Sequence, residues 1–69
     1  MYALNEKKLN GKIVECGMTK EGLAMAISVD RATFYRRIKN NKLLLSDVQK
    51  ICKTLNLTAD EILTIFFSK

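Results

Sequence analysis

The stretch of sequence that decides the fold is Thr19–Asn40, TKEGLAMAISVDRATFYRRIKN. Thr19 stands where a helix N-cap should be, because its hydroxyl can accept a hydrogen bond from an amide of the first helical turn. The helix that it opens is predicted from residue 20 to about residue 27, because apolar residues recur there at helical spacing. Its predicted inner face consists of Leu23, Ala24 and Ile27.

A second helix is predicted directly after the first. Residues 28–29 break the apolar pattern, and Asp30 is an N-cap for a helix over residues 31–39. Asn40 and Asn41 can end this helix, because asparagine tolerates the left-handed conformation. Two short helices with a break of about three residues are the geometry of a helix-turn-helix.

The chain before this motif predicts one further helix. Asn5 is its expected N-cap, Glu15 its approximate end, and Gly17 a natural C-terminal stop. The apolar positions expected on its inner face are Leu9, Ile13 and Val14.

Two more helices are predicted after the motif, each from a capping box. Ser46 and Gln49 have the required separation, and their helix is expected to reach Leu55; Thr58 and Glu61 open the last one. Strand signals are weak throughout. The sequence therefore predicts an all-α fold of five short helices, in a single domain over residues 1–69.

The last helix is expected to end at Phe66 or Phe67. At least one of these rings should pack in the core. The second can be exposed and serve a dimer, which is a common use of exposed apolar surface in a small chain.

Most of the positive charge lies in one short window. The chain has 12 Lys+Arg against 7 Asp+Glu, a formal +5, and residues 30–42 carry +4 of it. All three arginines lie in this window, and arginine suits phosphate and guanine better than lysine does. Such a patch is the electrostatic footprint of a nucleic-acid binder. The alternative is a solvated helix face.

Composition excludes several other classes. No apolar run approaches the ~18–20 residues that span a bilayer, and no signal peptide is recognisable. Cys16 and Cys52 are too few for a disulfide scaffold and are expected as core or near-core thiols. With no histidine, there is no zinc-ligand spacing and the commonest general base is missing. We expect a cytoplasmic protein that is not an enzyme and has no metal, cofactor or small-molecule substrate.

The helix pair carries a distinctive order of residues: Leu23-Ala24, Ile27-Ser28-Val29, Asp30 and Phe34. This order resembles the helix-turn-helix of phage Cro and repressor proteins, the Xre-like family. There, an apolar-Ala pair opens the first helix, an apolar-Gly-apolar turn and a polar cap follow, and the second helix carries an apolar anchor. Ser28 is the departure, because the family usually has glycine at this position, which generally needs positive φ. The resemblance covers nearly the whole chain and implies a lambda-repressor-like DNA-binding domain.

The resemblance implies base contacts from Arg31, Ala32 and Arg36. At about 100° per residue, placing Phe34 and Ile38 inward turns Ala32 and Arg36 away from the core, so periodicity supports both independently. Arg31 falls partly inward by angle, so its assignment depends on the resemblance and on the use of N-terminal residues by recognition helices. Arginine can fork onto guanine, and alanine can touch a thymine methyl.

A larger set is predicted to contact the DNA backbone. Lys20 matches a phosphate-contact position of the family, and exposed amides at a helix start favour phosphate as well. Arg37 falls nearer the protein, where it could reach a phosphate or pair with an acid. Thr19 can be only a cap, Tyr35 can lie across the core edge, and the lysines can be solvated. The predicted backbone contacts are Thr19, Lys20, Thr33, Tyr35, Arg37, Lys39, Asn40, Asn41 and Lys42.

These features predict a sequence-specific binder of double-stranded DNA, acting as a transcriptional regulator of phage or prophage type. Such proteins commonly bind as dimers on two operator half-sites about one helical turn apart. The alternative is a protein-interaction module on the same fold, for example an antirepressor or antitoxin partner. The basic window argues against the alternative, because binding a protein would not require charge on that helix.

Overall fold

A computed structural model describes residues 3–67 and confirms the all-α fold. Within these residues there is no strand, and one isolated parallel bridge pairs Ala3 with Phe67. None of the helices in this part of the chain is long and apolar enough to cross a bilayer. The five helices are α1 (Glu6–Glu15), α2 (Lys20–Ala26), α3 (Arg31–Lys39), α4 (Leu45–Thr54) and α5 (Ala59–Phe66).

Four of the helices begin at the predicted N-caps. The side chains of Asn5, Thr19, Asp30 and Thr58 each accept a hydrogen bond from the amide three residues later. Thr58 also completes its capping box, because its own amide donates to Glu61 Oε1 at 2.9 Å. These bonds satisfy amides that a helix start leaves without a partner.

The first four helices share one kind of C-terminus. In each, the amide of a left-handed residue bonds the carbonyl three residues back, and the next amide bonds the carbonyl five residues back. This is the Schellman arrangement, which glycine usually completes. The left-handed residues are Gly17 (φ 71°), Ser28 (φ 60°), Asn41 (φ 55°) and Asn56 (φ 53°).

One apolar core joins all five helices. Leu23 and Phe34 are fully buried, so the predicted inner faces of α2 and α3 meet at its centre. Phe66 is also fully buried, whereas Phe67 is 52% exposed, as the prediction of one core ring requires. The remaining buried core residues are Leu9, Ile13, Ala24, Ile27, Ile38, Leu43, Val48, Ile51, Leu55 and Ile65.

The predicted start of α4 is wrong. Ser46 is not an N-cap but an exposed residue inside the helix, which begins at Leu45. The carboxylate of Asp47 accepts a hydrogen bond from the amide of Leu44 at 3.1 Å, and this bond replaces the predicted capping box with Gln49. The same carboxylate also accepts from Arg37 of α3, and Leu43, just before the helix, is buried in the core.

Two predicted burials are also wrong. Val14 is 73% exposed, because Leu9 and Ile13 alone fill the inner face of α1. Cys16, the C-cap of α1, is exposed, and its thiol lies 3.8 Å from the carbonyl oxygen of Leu55. Cys52 is half-buried against the core, and this burial raises the pKa of its thiol.

Candidate nucleic-acid interface

The turn between α2 and α3 sets how the second helix is presented. Ser28 adopts a left-handed φ of 60°, the conformation that the sequence resemblance implied. Its amide donates to the carbonyl of Met25 at 3.0 Å, and that of Val29 donates to Ala24 at 2.9 Å. Val29 packs partly buried against the core. The turn is therefore fixed by two hydrogen bonds and an apolar anchor.

The outer face of α3, defined here as Ala32, Arg36 and Lys39, is exposed. Phe34 and Ile38 are buried on the opposite side, with 0% and 4% of their surface exposed. The orientation predicted from helical periodicity for Ala32 and Arg36 is therefore the one observed. This face offers a methyl group and two cationic side chains to an approaching partner.

Three cations lie at and beyond this face. Among residues 3–67, no carboxylate forms an ion pair with Arg36, Lys39 or Lys42. Their charges therefore face solvent from α3 and from the segment after it. A polyanion is the partner that such an uncompensated group of cations attracts most strongly.

Arg37 has a different environment from its neighbour Arg36. Its Nη1 donates to Asp47 Oδ2 at 2.9 Å, which ties α3 to the start of α4. The Asp47 side chain is 4% exposed, so Arg37 supplies the charge that a buried carboxylate requires. Of the two alternatives that the sequence left open for Arg37, the structure has the ion pair with an acid.

A charged cluster surrounds Tyr35, at the amino ends of α2 and α3. The Nζ of Lys20 lies 5.3 Å from the centre of the Tyr35 ring, and Cζ of Arg31 lies 5.5 Å from it. Each cation has a carboxylate partner: Glu6 Oε2 is 3.4 Å from Lys20 Nζ, and Glu21 Oε2 is 3.2 Å from Arg31 Nη1. The Arg31 side chain is 64% exposed, so it is accessible from solvent in spite of this pairing.

The remaining predicted contacts lie at helix ends and are mostly engaged in capping. Thr19 Oγ1 accepts from the amide of Gly22 at 2.9 Å, and the hydroxyl of half-buried Thr33 lies 3.5 Å from Asp30 Oδ2. Asn40 is the exposed C-cap of α3, and Asn41 Oδ1 accepts from the amide of Leu4 at 3.1 Å. Both threonine hydroxyls and the Asn40 side chain adjoin the same helix pair.

Sequence reasoning missed the acidic partners of these cations. Glu6, Glu21 and Asp47 each pair with a predicted DNA-contact residue, from 10 or 14 positions away in the chain. No helical periodicity links positions on different helices, so only the packing of the helices reveals the pairs. A charge count by segment could register these acids but could not assign their partners.

A second ion-pair cluster lies on the α1–α5 side. Lys12 Nζ is 2.7 Å from Glu61 Oε2 and 3.0 Å from Glu15 Oε1. The hydrogen bond from Lys12 holds the pKa of Glu61 below its usual range, and the two carboxylates raise the pKa of Lys12. Two carboxylates therefore compensate the charge of Lys12, in contrast to the charges of Arg36, Lys39 and Lys42.

The helix pair, its fixed turn and the uncompensated outer face define a helix-turn-helix protein. The family model for the Cro/C1-type HTH DNA-binding domain matches residues 8–68, and the chain belongs to this family. It is thus a DNA-binding domain of the kind that the sequence resemblance implied. No individual curated protein and no solved structure gives a significant match. No cluster of three or more potential metal ligands occurs within residues 3–67.

Proposed function

We propose that this protein is a sequence-specific regulator of transcription, of phage or prophage type, that inserts α3 into the major groove of double-stranded DNA. The observation that supports this most strongly is the outer face of α3, where Arg36 and Lys39 are exposed and have no carboxylate partner within residues 3–67. A helix of about 10–12 Å diameter fits the major groove, which is ~12 Å wide. The regulator would act in the cytoplasm, where bacterial and phage DNA is transcribed.

Base readout in this proposal belongs to Arg31, Ala32 and Arg36. Arg36 is long and exposed, so its guanidinium can fork onto O6 and N7 of a guanine. Ala32 lies one turn earlier on the same exposed face, where its methyl group can contact a thymine methyl. Arg31 begins the helix, the end that recognition helices direct at bases.

Backbone contacts in this proposal come from both sides of the inserted helix. Lys39 and Lys42 lie at and after its end, and Lys20 lies at the start of α2. Thr19, Thr33, Tyr35, Asn40 and Asn41 add hydroxyl and amide groups around them. Arg37 was predicted as a further phosphate contact, but its bond to Asp47 supports a contribution through the position of α3 instead.

We further propose that the protein binds its operator as a homodimer. Leu63 and Phe67 are 59% and 52% exposed, and they lie four residues apart at the end of α5. Two copies joined through this apolar surface would present two α3 helices. Half-sites about 34 Å apart on the operator would then match the two-fold symmetry of the protein.

Selection of bound duplexes from a random DNA pool tests this function. We expect enrichment of a two-part site, with half-sites about one helical turn apart and a guanine in each. If the protein makes about six phosphate contacts, the logarithm of the binding constant should fall with the logarithm of the salt concentration at a slope of about −5. A promoter that carries the selected site should then be repressed or activated in a reporter strain.

The outcome of the selection also separates the two functions that the sequence left open. An unenriched pool, together with no binding to any duplex at low salt, would contradict DNA binding. The protein-interaction module would then be the better description. If the protein binds DNA, the unpaired cations on α3 should retain it on heparin, a polyanion, until the salt concentration is high. Elution at low salt would instead agree with the protein-interaction module.

A further inference from the structure

We propose that Glu21 determines sequence specificity by controlling which partners Arg31 can accept. The proposal rests on the proposed function, since it concerns how the same helix pair distinguishes its operator from other DNA. In this view Glu21 contacts no base. It holds Arg31 so that a guanine of the operator can bind it, whereas a phosphate that binds Arg31 is repelled by the Glu21 carboxylate.

The geometry places Arg31 between two restraints. Its Nη1 lies 3.2 Å from Glu21 Oε2, across the turn that joins α2 to α3. Its Cζ lies 5.5 Å from the centre of the Tyr35 ring, one helical turn further along α3. An arginine at the first position of a helix would otherwise sample many rotamers, so these two contacts define where its guanidinium points.

The pair is too exposed to be explained by stability. The side chains of Arg31 and Glu21 are 64% and 56% exposed, and ion pairs of this kind contribute little to folding. Its effect should instead appear when a polyanion approaches. A phosphate that binds Arg31, with the ion pair open or closed, brings its negative charge close to the Glu21 carboxylate, where like charges repel.

A guanine can bind Arg31 through donors that Glu21 does not use. The guanidinium carries five N–H donors, and Glu21 engages only those on Nη1. The edge formed by Nη2 and Nε can therefore fork onto O6 and N7 while the carboxylate stays bound. The base carries no net charge, so this contact avoids the repulsion that a phosphate would meet. Glu21 thus penalises unrelated DNA more than the operator, which is how a repulsive element creates specificity.

The chain contains a matched control in Glu6. Its carboxylate pairs with Lys20 at 3.4 Å, beside the same Tyr35 ring, and it carries the same charge as Glu21. Lys20 has no planar fork to direct at a base and is proposed as a phosphate contact only. Removal of the Glu6 charge should therefore strengthen binding to every sequence by the same factor.

The test compares Glu21→Gln with Glu6→Gln on the selected duplex and on a scrambled duplex of equal length. Glu21→Gln should raise affinity for the scrambled duplex about twofold to fivefold and change affinity for the selected duplex by less than about twofold. The specificity ratio should fall accordingly. On the scrambled duplex the salt slope should steepen by about 0.9, because Arg31 becomes available to one more phosphate. The Arg31→Ala background should abolish both effects.

Equal increases on both duplexes for Glu21→Gln, like those expected for Glu6→Gln, would overturn the proposal and leave DNA binding intact. An effect of Glu21→Gln that persists in the Arg31→Ala background would also overturn it, because Glu21 would then not act through Arg31. Failure of the unaltered protein to bind any duplex would be a distinct result. It would contradict the proposed function and this inference together.

Discussion

Arg36 and Arg37 are adjacent in the sequence, but they belong to two different regions of the molecule. Arg36 lies on the outer face of α3, exposed and without a carboxylate partner among the described residues. Arg37 lies on the flank that packs beside α4, bonded at 2.9 Å to the buried carboxylate of Asp47. A rotation of about 100° along the helix separates a cation that can meet DNA from one that the fold requires.

The comparison shows why a local count of charge overstates a binding surface. Residues 30–42 carry +4, yet two of their arginines are paired with acids elsewhere in the chain. Within the part of the chain that the structure describes, the cations of this window without such partners are Arg36, Lys39 and Lys42. We expect variants of Arg37, whose partner is buried, to change stability, and variants of the unpaired cations to change DNA binding.

The largest effect on stability is expected from Arg37→Ala. The variant leaves the carboxylate of Asp47 buried without its cation, and the free energy of unfolding should fall by about 2 kcal/mol. A domain of this size has only about 3–5 kcal/mol to lose, so the melting temperature should drop markedly. Urea denaturation measures the change.

Arg36→Ala is the matched control for that measurement. It removes an identical side chain from an exposed position, so stability should change by less than about 0.5 kcal/mol. Equal destabilisation by the two substitutions would contradict the division of α3 into a binding face and a structural flank.

A smaller effect on stability is expected at the turn between α2 and α3, which precedes both arginines. Ser28→Gly should raise the free energy of unfolding by up to about 1 kcal/mol, because glycine adopts a left-handed φ without the Cβ penalty. Asn56→Gly, at the same position of the α4 terminus, should stabilise less, since asparagine tolerates this conformation. A loss of stability in Ser28→Gly would show that the serine hydroxyl makes a contribution larger than the backbone strain.

The unpaired and paired lysines provide the next comparison, on DNA affinity. Lys42→Gln should weaken binding to selected and scrambled duplexes alike, by about threefold, and reduce the salt slope by about 0.9. Lys12→Gln removes the same charge from the α1–α5 cluster, where two carboxylates already compensate it. Fluorescence anisotropy at several salt concentrations measures both, and equal losses would indicate that only net charge matters.

The smallest effect is expected from the pH dependence of the α1–α5 cluster. The hydrogen bond from Lys12 lowers the folded-state pKa of Glu61 below the usual 4.5. The contribution of this hydrogen bond to the free energy of unfolding is therefore fully present when the pH is above the usual pKa. It is lost as the pH falls through the lowered folded-state pKa. Thermal melts between about pH 6 and pH 3 should show a shallower loss of stability for Glu61→Gln than for the unaltered protein. Parallel profiles would contradict the assignment.

Local signals in the sequence were sufficient for most of the fold. Thr19, Asp30 and Thr58 cap their helices as predicted, because a cap depends on residues within one turn. The start of α4 was missed because Asp47, which forms the cap interaction, is also held by a residue of α3. Ser46 offered a plausible local alternative, and only the packing of Leu43 and Arg37 decides between them.

For the candidate site, too, the sequence predicted the features that depend on a single helix. Periodicity placed Ala32 and Arg36 on the exposed face, because the rotation per residue is a property of the helix alone. The contacts that hold the Arg31 side chain were not predicted, because they depend on Glu21 across the turn and on the Tyr35 ring. The sequence thus identified the face of the helix but not the ion pairs that divide its cations.

We propose that Arg36, on the outer face of α3, reads a base. Equilibrium binding of the unaltered protein and Arg36→Ala should be compared on the selected duplex and on a scrambled duplex at one salt concentration. We expect the specificity ratio to fall by about fivefold or more in the variant, because one bidentate arginine–guanine contact contributes about 1–3 kcal/mol of discrimination. An unchanged ratio, with affinity lowered equally on both duplexes, would contradict base readout by Arg36 and reduce it to a phosphate contact.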